Sequence, residues 1–160
     1  MSTSQKISLF LVRISLGWLF FYMGVTRVFF SDIPWSAENY LKGAKTFVGF
    51  YNYLLQPNIL PAINLVNEWG QLLLGVSLIL GVFVRPSAFL GAVLMLLYYF
   101  PGLDFPHAGR SSYIVDQHII YGSTLLYLSI TGAGRYGGLY SLFVKIPLFS
   151  KFPKLKYFLS

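Results

Sequence analysis

The sequence predicts an all-α fold: an integral membrane four-helix bundle with additional interfacial amphipathic helices. Hydrophobic residues make up 56% of the 160 residues and charged residues only 11%, well below the roughly 25% of a soluble domain. Apolar stretches of about 20 residues, long enough to cross a bilayer as a helix, recur along the chain. This composition excludes a soluble enzyme, a disordered chain and a nucleic-acid-binding protein. We expect a single membrane domain over residues 1–160.

The first predicted span covers residues 7–30 and is apolar apart from Arg13 and Arg27. A cleaved signal peptide is the alternative interpretation of this stretch. Arg13 would interrupt the apolar core of such a peptide, and no small-residue cleavage site follows closely. We therefore interpret residues 7–30 as a membrane-spanning helix.

The next stretch, residues 36–55, is rich in Tyr and Phe and directly follows Trp35, and these residue types are typical of the membrane–water interface. Ser36 is a good helix N-cap. We expect a helix of about five turns lying at the interface. A re-entrant segment is the alternative, because no charged residue lies between Lys45 and Glu68.

Three further spans and a surface segment complete the predicted chain. The run Arg85-Pro86 separates two of the spans, and the glycines at 132 and 134 end the last one. Residues 139–158 carry lysines among Phe, Leu and Tyr, which predicts a basic amphipathic segment at the membrane surface. The three spans are residues 59–84, 86–101 and 113–131.

Four spans place both termini on the same side of the membrane. Outside the spans, that side holds seven Lys and Arg residues, and the other side holds three. Because basic residues collect on the cytoplasmic side, we expect both termini in the cytoplasm and the protein in the cytoplasmic membrane. Three arginines at this edge, Arg13, Arg85 and Arg135, are expected to play structural roles or to reach lipid headgroups.

Polar side chains within the spans are the candidate functional groups, because each costs about 2.5–3.5 kcal/mol at mid-depth. Positions along the spans bring Arg27, Glu68 and His118 to one level in the outer half of the bundle, which predicts a polar pocket. These are the candidate catalytic residues: Arg27 to hold an anion or a quinone carbonyl, Glu68 or His118 to move protons. The candidate substrate-binding residues are Asn64, Asn67, Trp69, Gln71 and Asp116.

Helical periodicity predicts which of these side chains face the bundle interior. In the first span, Gly17 and Gly24 share a stripe with Arg27, and glycines on a stripe let another backbone come close. Asp116 and His118 would lie about 200° apart on a helix, so we expect His118 alone to face inward. In the second span, the inward stripe is predicted to consist of Asn64, Glu68, Gln71 and Gly75.

Several alternatives to a functional pocket remain open. One alternative is an Arg27–Glu68 ion pair that only holds two helices in register. No metal is predicted, because His118, Glu68 and Asp116 lack a metal-ligand spacing such as His-x-x-x-His. The chain has no cysteine, which excludes a disulfide, a thiolate site and a covalently attached haem. A quinone bound without a covalent link is the expected cofactor.

Three motifs carry a resemblance to a known family. Residues 67–75 (NEWGQLLLG), 80–88 (LGVFVRPSA) and 132–136 (GAGRY) resemble the DoxX/DoxD-like membrane proteins in order and spacing. The resemblance implies a four-helix membrane bundle. For the DoxD branch, it implies the small subunit of a thiosulfate:quinone oxidoreductase.

We therefore expect an integral membrane subunit of a quinone-linked oxidoreductase, of the thiosulfate:quinone type that the resemblance to the DoxD branch implies. The alternative is a non-catalytic accessory subunit of a larger membrane redox complex. A transporter is a third interpretation, but the chain is short for inverted repeats. The expected partners are the lipid bilayer and other subunits of a redox complex, with no nucleic acid.

Overall fold

The computed structural model describes residues 1–32, 34–109, 112–146 and 157–160. In that part of the chain, three helices are long and apolar enough to cross a membrane: α1 (Thr3–Phe29), α4 (Leu60–Leu80) and α5 (Val84–Gly102). The prediction of a helical membrane protein is thus confirmed. The fourth long helix, α6 (Gln117–Thr131), has 15 residues, about 22 Å at 1.5 Å per residue. This is less than the ~30 Å hydrocarbon core, so a bundle that crosses the membrane four times stays a prediction.

The first helix starts earlier than predicted because its N-terminus is capped. The Ser2 hydroxyl accepts from Gln5 N at 3.3 Å, and the Gln5 side chain accepts from Ser2 N at 2.7 Å. Such reciprocal bonds satisfy two of the backbone donors that a helix start leaves free. The helix ends one residue before the predicted limit, with Phe30 as its C-cap.

Helices α1 and α4 run antiparallel and approach closely through glycine, as the stripe of small residues predicted. A Cβ atom on Gly24 would lie 2.4 Å from Leu72 N, and one on Gly75 would lie 2.2 Å from Phe21 N. Neither distance is sterically possible, so the two backbones can cross here only because both residues lack a side chain. This contact determines how far α1 is shifted along α4, and it therefore sets the position along α4 at which Arg27 lies.

The second antiparallel pair is α5 and α6. A tight turn joins α4 to α5, with Gly81 in the left-handed conformation at φ 70°. Leu125 and Leu128 of α6 are fully buried, in one apolar core with Ala88 and Met95 of α5. As a result, α1, α5 and α6 each bring one end to the same level as the start of α4. We call this level the Arg27 end, and we call the opposite end, where Arg13 lies beside the turn between α4 and α5 and the end of α6, the Arg13 end.

Two short helices, α2 (Glu38–Lys42) and α3 (Val48–Leu54), replace the single helix predicted over residues 36–55. That prediction was wrong at the break, where Phe47 has a left-handed backbone at φ 54°. The buried residues Ala37, Leu41 and Tyr51 pack together and against partly buried side chains of α4 and α5. We call residues 36–54, which include α2 and α3, the cover.

A small hairpin separates α5 from α6. Strands β1 (Leu103–Asp104) and β2 (His107–Ala108) pair antiparallel, in a stretch that the sequence predicted only as a loop. The last predicted span, residues 113–131, begins as helix only at Gln117, because Asp116 is the N-cap in an extended conformation. Gly132 ends α6 at φ 62°, which confirms the predicted stop.

The Arg13 end is closed by the segment after α6. A 3-10 turn (Ala133–Arg135) and the one-turn helix α7 (Tyr140–Phe143) follow Gly132. Half of the surface segment predicted over residues 139–158 lies at 147–156, outside the described residues. The short stretch at 157–160 packs against the start of α5, where Phe83 N and Arg85 N donate to Leu159 O and Ser160 O.

Candidate functional site

The Arg27 end contains a cavity of about 660 Å³ between α1, α4, α5, α6 and the cover. Most of its wall is apolar, with side chains such as Met23, Ile63 and Leu94. A few polar groups, from Arg27, Asn67 and His118 among others, line the same space. This volume and this mixture of many apolar and few polar groups are typical of small-molecule sites.

Arg27 is held by a network of amide side chains. Its Nη1 atom donates to Gln71 Oε1 at 2.9 Å and to Asn67 Oδ1 at 3.3 Å. Asn67 is 5% exposed and Gln71 is fully buried. Because neutral amides accept from Arg27, no carboxylate in this network offsets its positive charge. The guanidinium can therefore attract an electron-rich oxygen of a ligand.

Tyr98 of α5 completes this network. Its hydroxyl donates to Asn67 Oδ1 at 2.6 Å and accepts from Gln71 Nε2 at 2.9 Å. These bonds fix the orientation of both amides, because each oxygen accepts and the Gln71 nitrogen donates. Asn67 Nδ2 makes no hydrogen bond to any described residue and so offers the cavity a donor beside Arg27.

His118 and Asp116 form the second polar group of the site. The Asp116 Oδ2 atom lies 2.6 Å from His118 Nδ1. The other carboxylate oxygen accepts from His118 N and Ile119 N. A carboxylate on Nδ1 keeps the proton there, so Nε2 is the nitrogen that can exchange a proton with a ligand. His118 lines the cavity, and its ring packs edge-on against Tyr98 at 5.9 Å between centroids.

The prediction that Asp116 faces away from His118 is wrong. The argument assumed that both residues are helical, whereas Asp116 precedes the helix and caps it. An N-cap side chain folds back over the first turn. This position brings its carboxylate next to the His118 ring instead of the far side of α6.

Trp35 lies in the chain that links α1 to the cover. Its ring stacks over the guanidinium of Arg27, with 4.4 Å between Arg27 Cζ and the ring centroid. The aromatic face stabilises the cation and fixes the plane of the guanidinium. Both residues line the cavity, so Arg27 is held on one side by aromatic carbon and on another by amides.

The cover is attached to α5 through two tyrosine hydroxyls. Tyr51 donates to Leu97 O at 3.0 Å, and Tyr40 donates to Tyr98 O. Pro101 explains why Leu97 O is available, because the N–H four residues on, which would normally bond to this carbonyl, is missing in proline. Burial raises the pKa of Tyr51, and raises the pKa of Tyr40 to about 12. Both hydroxyls therefore remain donors over the physiological pH range.

The remaining predicted residues of α4 lie around the cavity and not on its wall. Asn64 Oδ1 accepts from Ala37 N at 3.0 Å and so attaches the cover to α4. Trp69 packs edge-on against Phe29 at 6.1 Å. Glu68 is half-buried and, as placed here, forms no ion pair with Arg27 or with any other described residue. The inward polar stripe of α4 is thus Asn64, Asn67 and Gln71, with Asn67 in the place predicted for Glu68.

The three arginines assigned to the cytoplasmic edge differ in their surroundings. Arg13 is fully buried and donates to Ala133 O at 2.8 Å and Gly137 O at 2.9 Å, so it does not reach lipid headgroups. Arg85 donates to Ser129 O, Ile130 O and Tyr157 Oη. Arg135 is exposed, near the Tyr140 ring. The structural role fits Arg13 and Arg85, and a headgroup contact stays a prediction for Arg135.

In the described part of the chain, no three His, Asp or Glu side chains gather into a group that could hold a metal ion. The imidazole–carboxylate pair of His118 and Asp116 lies without a third such residue beside it. The chemistry open to the site is therefore hydrogen bonding by Arg27 and Asn67, and proton exchange at His118 Nε2.

Sequence reasoning missed three aromatic residues of the site: Trp35, Tyr40 and Tyr98. Trp35 and Tyr40 were interpreted as residues of the interfacial belt, and Tyr98 as part of an apolar span. One signal was present for α5, because Pro101 inside a helix predicts an unpaired carbonyl at Leu97 that needs a donor. Nothing in the sequence indicated that α2 and α3 supply such donors.

Comparison with known proteins gives one positive result. The model of the DoxX family matches residues 8–101, more than half of the chain. The match runs from α1 to the end of α5, includes Arg27, Asn67, Gln71 and Tyr98, and stops before Asp116 and His118. No curated protein and no solved structure matches the chain. The chain belongs to the DoxX family of membrane proteins.

Proposed function

We propose that this protein is the quinone-binding membrane subunit of a quinone-linked oxidoreductase. The observation that carries the proposal is the convergence of Arg27, Asn67 and His118 on a single, mostly apolar cavity. A quinone head group is a flat apolar ring with carbonyl oxygens that accept hydrogen bonds. The cavity offers apolar walls, donors that have no carboxylate partner and a histidine that can exchange a proton.

Each polar group has a distinct role in this proposal. Arg27 and the Nδ2 atom of Asn67 hold a carbonyl oxygen and favour negative charge there as electrons arrive. His118 Nε2 gives a proton to the reduced ligand, while Asp116 orients the ring and stabilises its protonated form. Gln71 and Tyr98 are positioning residues, because they fix Asn67 and do not need to touch the ligand.

Reduction of a quinone to a quinol takes two electrons and two protons. The protons pass through the site at His118, and the electrons come from a reductant oxidised in a partner subunit. Thiosulfate is the reductant implied by the resemblance to the DoxD branch. A dianion of this kind is hydrophilic, whereas most of the cavity wall is apolar, so we assign the cavity to the quinone and not to the sulfur substrate.

The proposal includes the arrangement in the membrane. Helix α6 would complete a four-helix bundle, with both termini on the cytoplasmic side of the cytoplasmic membrane and the Arg27 end outside. Because the chain has no cysteine, single cysteines introduced at Ser4 and at Asn39 test this orientation. A membrane-impermeant maleimide added to intact cells should label the cysteine at position 39 and not the one at position 4. Labelling at position 4 alone would show the opposite orientation and contradict this part of the proposal.

Fluorescence quenching of Trp35 tests the ligand. In a Trp18→Phe/Trp69→Phe background, Trp35 is the only tryptophan, and it lies on the cavity wall. Decylubiquinone should quench its emission saturably. Arg27→Gln and His118→Gln should each weaken binding about tenfold, the effect of losing one hydrogen bond to a charged or strongly polar group. Arg135→Gln and His107→Gln, exposed residues away from the cavity, are the matched controls.

Other results would contradict the proposal. If quenching is linear with quinone concentration, or is equal in all four variants, the cavity does not bind a quinone. The accessory-subunit alternative would then be favoured. In membranes that contain the whole complex, that alternative predicts normal quinone reduction by the Arg27→Gln and His118→Gln proteins.

A further inference from the structure

The cavity is polar at one end and apolar at the other. Arg27 and Tyr98 lie near the Arg27 end, whereas Met23 and Leu94 lie four residues further toward the middle of α1 and α5. Four residues of helix correspond to about 6 Å. All four side chains line the same space. The cavity therefore extends from the hydrogen-bonding groups toward the middle of the helices, where the surrounding membrane is hydrocarbon.

The polar part of the cavity's rim is formed by residues of the cover. Ser36 and Asn39 line the cavity and are exposed, and they belong to the chain around α2 and not to a spanning helix. A polar opening at this place suits water and protons on their way to His118. It does not suit an apolar ligand, which would have to pass through water to reach it.

The apolar rim lies between two spanning helices. Val66 of α4 and Leu97 of α5 line the cavity, yet Val66 is 69% exposed and Leu97 is 39% exposed. A side chain that faces both a cavity and the exterior marks an opening. Because both residues belong to helices that can span a membrane, the exterior at this opening is the lipid hydrocarbon.

The cover accounts for this opening. At the Arg13 end, α4 and α5 are joined by the tight turn at residues 81–83. At the Arg27 end, the cover packs against both helices, through Asn64 of α4 and through Leu97 O and Tyr98 O of α5. The cover thus occupies the level where α4 and α5 would otherwise close on each other. Among the described residues, direct hydrogen bonds between the two helices occur at two levels: the network of Asn67, Gln71 and Tyr98 near the Arg27 end, and the Ser77–Ser87 pair near the Arg13 end.

We propose that the ligand is a membrane-borne quinone with a long apolar tail. It loads sideways from the bilayer between α4 and α5, and its tail leaves the cavity past Val66 and Leu97. This inference rests on the proposed function, because it adds a tail and an entry route to the quinone head group. A tail held by the bilayer keeps the ring at the level of Arg27 and His118. It also spares the ligand a passage through water, which disfavours long apolar chains.

The test compares two quinones on four variants. The probes are decylubiquinone and its tail-less parent 2,3-dimethoxy-5-methyl-1,4-benzoquinone, and the readout is saturable quenching of Trp35 in the Trp18→Phe/Trp69→Phe background. Val66→Phe and Leu97→Phe narrow the opening. The neighbouring Leu65→Phe and Leu96→Phe are the matched controls, because these exposed apolar residues of the same helices do not line the cavity.

We expect Val66→Phe and Leu97→Phe to weaken decylubiquinone binding about tenfold relative to binding of the tail-less quinone. This is roughly the effect of removing two methylene groups from apolar contact. Comparing this ratio between each variant and the parent protein cancels the different partitioning of the two quinones into detergent or lipid, because that partitioning does not depend on the variant. Leu65→Phe and Leu96→Phe should leave the ratio unchanged.

The two failures are distinguishable. If both quinones bind saturably to the parent protein and no variant changes their ratio, the lateral opening is wrong and the proposed function stands. If neither quinone binds saturably to the parent protein, both proposals are wrong. A ratio that changes equally in the Leu65→Phe and Leu96→Phe proteins would also overturn the lateral opening, because the effect would then not depend on the cavity.

Discussion

Helix α1 carries an arginine near each end, and the two have opposite surroundings. Arg13 is fully buried, and backbone carbonyls of Ala133 and Gly137 accept two of its hydrogen bonds. Arg27 is half-buried, bonded to side-chain amides, and lies on the wall of a cavity. Arg13 is enclosed by protein at its end of the molecule, whereas Arg27 lies on the wall of a cavity that a ligand can enter.

The difference shows how an arginine can stabilise the fold in one environment and remain available to a ligand in another. Carbonyls fixed by the turn after α6 hold Arg13 and leave no room for a ligand. The glycines at 81, 137 and 138 pack so closely around this end that a Cβ atom on Gly81 would lie 2.7 Å from Arg13 Nη1. Around Arg27, the side chains of α1, α4 and α5 and the residues of the cover leave a cavity of about 660 Å³ instead.

The largest expected effect comes from replacing Arg13. Arg13→Met should lower the free energy of unfolding by about 3 kcal/mol or more, because two carbonyls in an apolar environment lose charged donors. Thermal unfolding in detergent, followed by circular dichroism, measures this. Arg135→Met, an exposed arginine of the same end, should change stability little. Equal losses in the two proteins would show that burial of Arg13 is not what stabilises the Arg13 end.

The glycine contact between α1 and α4 supports both ends, and its loss should have the next largest effect. Gly75→Ala places a methyl group against Phe21 N and should destabilise the protein by about 1–3 kcal/mol. A Cβ atom on Gly70, in the same helix, would have no neighbouring atom within 4 Å. The Gly70→Ala substitution should therefore be neutral or slightly stabilising, because alanine favours the helical conformation. A stable Gly75→Ala protein in the same unfolding assay would mean that α1 and α4 do not cross as closely as described.

Some features of the two ends could be predicted from the sequence, and others could not. The glycine stripe of the first span predicted a close crossing by another helix, because such a crossing needs small residues at a helical spacing, but it did not identify α4 as the partner. The level of Arg27 relative to the polar face of α4 followed from helix length alone. Both features depend on regular helix geometry, which can be derived from the spacing of residues in the sequence.

The features that the sequence did not predict depend on irregular backbone. Arg13 finds its partners in a turn more than 100 residues away in sequence, and no local pattern indicates that pairing. Asp116 was placed by helical geometry although it precedes the helix. Glu68 was placed on the inward stripe by its spacing from Asn64 and Gln71, whereas the structure turns the neighbouring Asn67 to the cavity. In each case the outcome depends on where a helix ends or how it is rotated, which periodicity fixes only loosely.

The cover of the Arg27 end should respond to loss of a single hydroxyl. Tyr51→Phe removes the donor to Leu97 O, whose usual helical partner is missing at Pro101. We expect a loss of about 1–2 kcal/mol in unfolding free energy, the effect of leaving a partly buried carbonyl unpaired. Tyr53→Phe, an exposed tyrosine of the same helix, is the control. A Tyr51→Phe protein as stable as the control would indicate that the cover is held by apolar contacts alone.

The smallest expected effect concerns an exposed ion pair that links the cover to the hairpin. Lys45 Nζ lies 2.8 Å from Asp104 Oδ2, and the hydrogen bond and charge of Lys45 lower the pKa of Asp104 below its ordinary value of 3.8. A lowered carboxyl pKa means that the ion pair adds stability above pH 3.8. This contribution is lost as the pH falls through the lowered pKa. Because both side chains are exposed, the pair is screened by water and salt and is weak, in contrast to the buried contacts of Arg13.

The unfolding temperatures of the parent protein and of Asp104→Asn, measured from pH 7 to pH 2.5, test this contrast. The parent should be slightly more stable at neutral pH, and the difference should disappear at the acid end and shrink with added salt. Asp32→Asn, an exposed aspartate with no ion pair in the described chain, should show no such difference. A large, salt-independent difference for Asp104→Asn would mean that the cover is anchored as firmly as the Arg13 end, and the comparison between the two ends would fail.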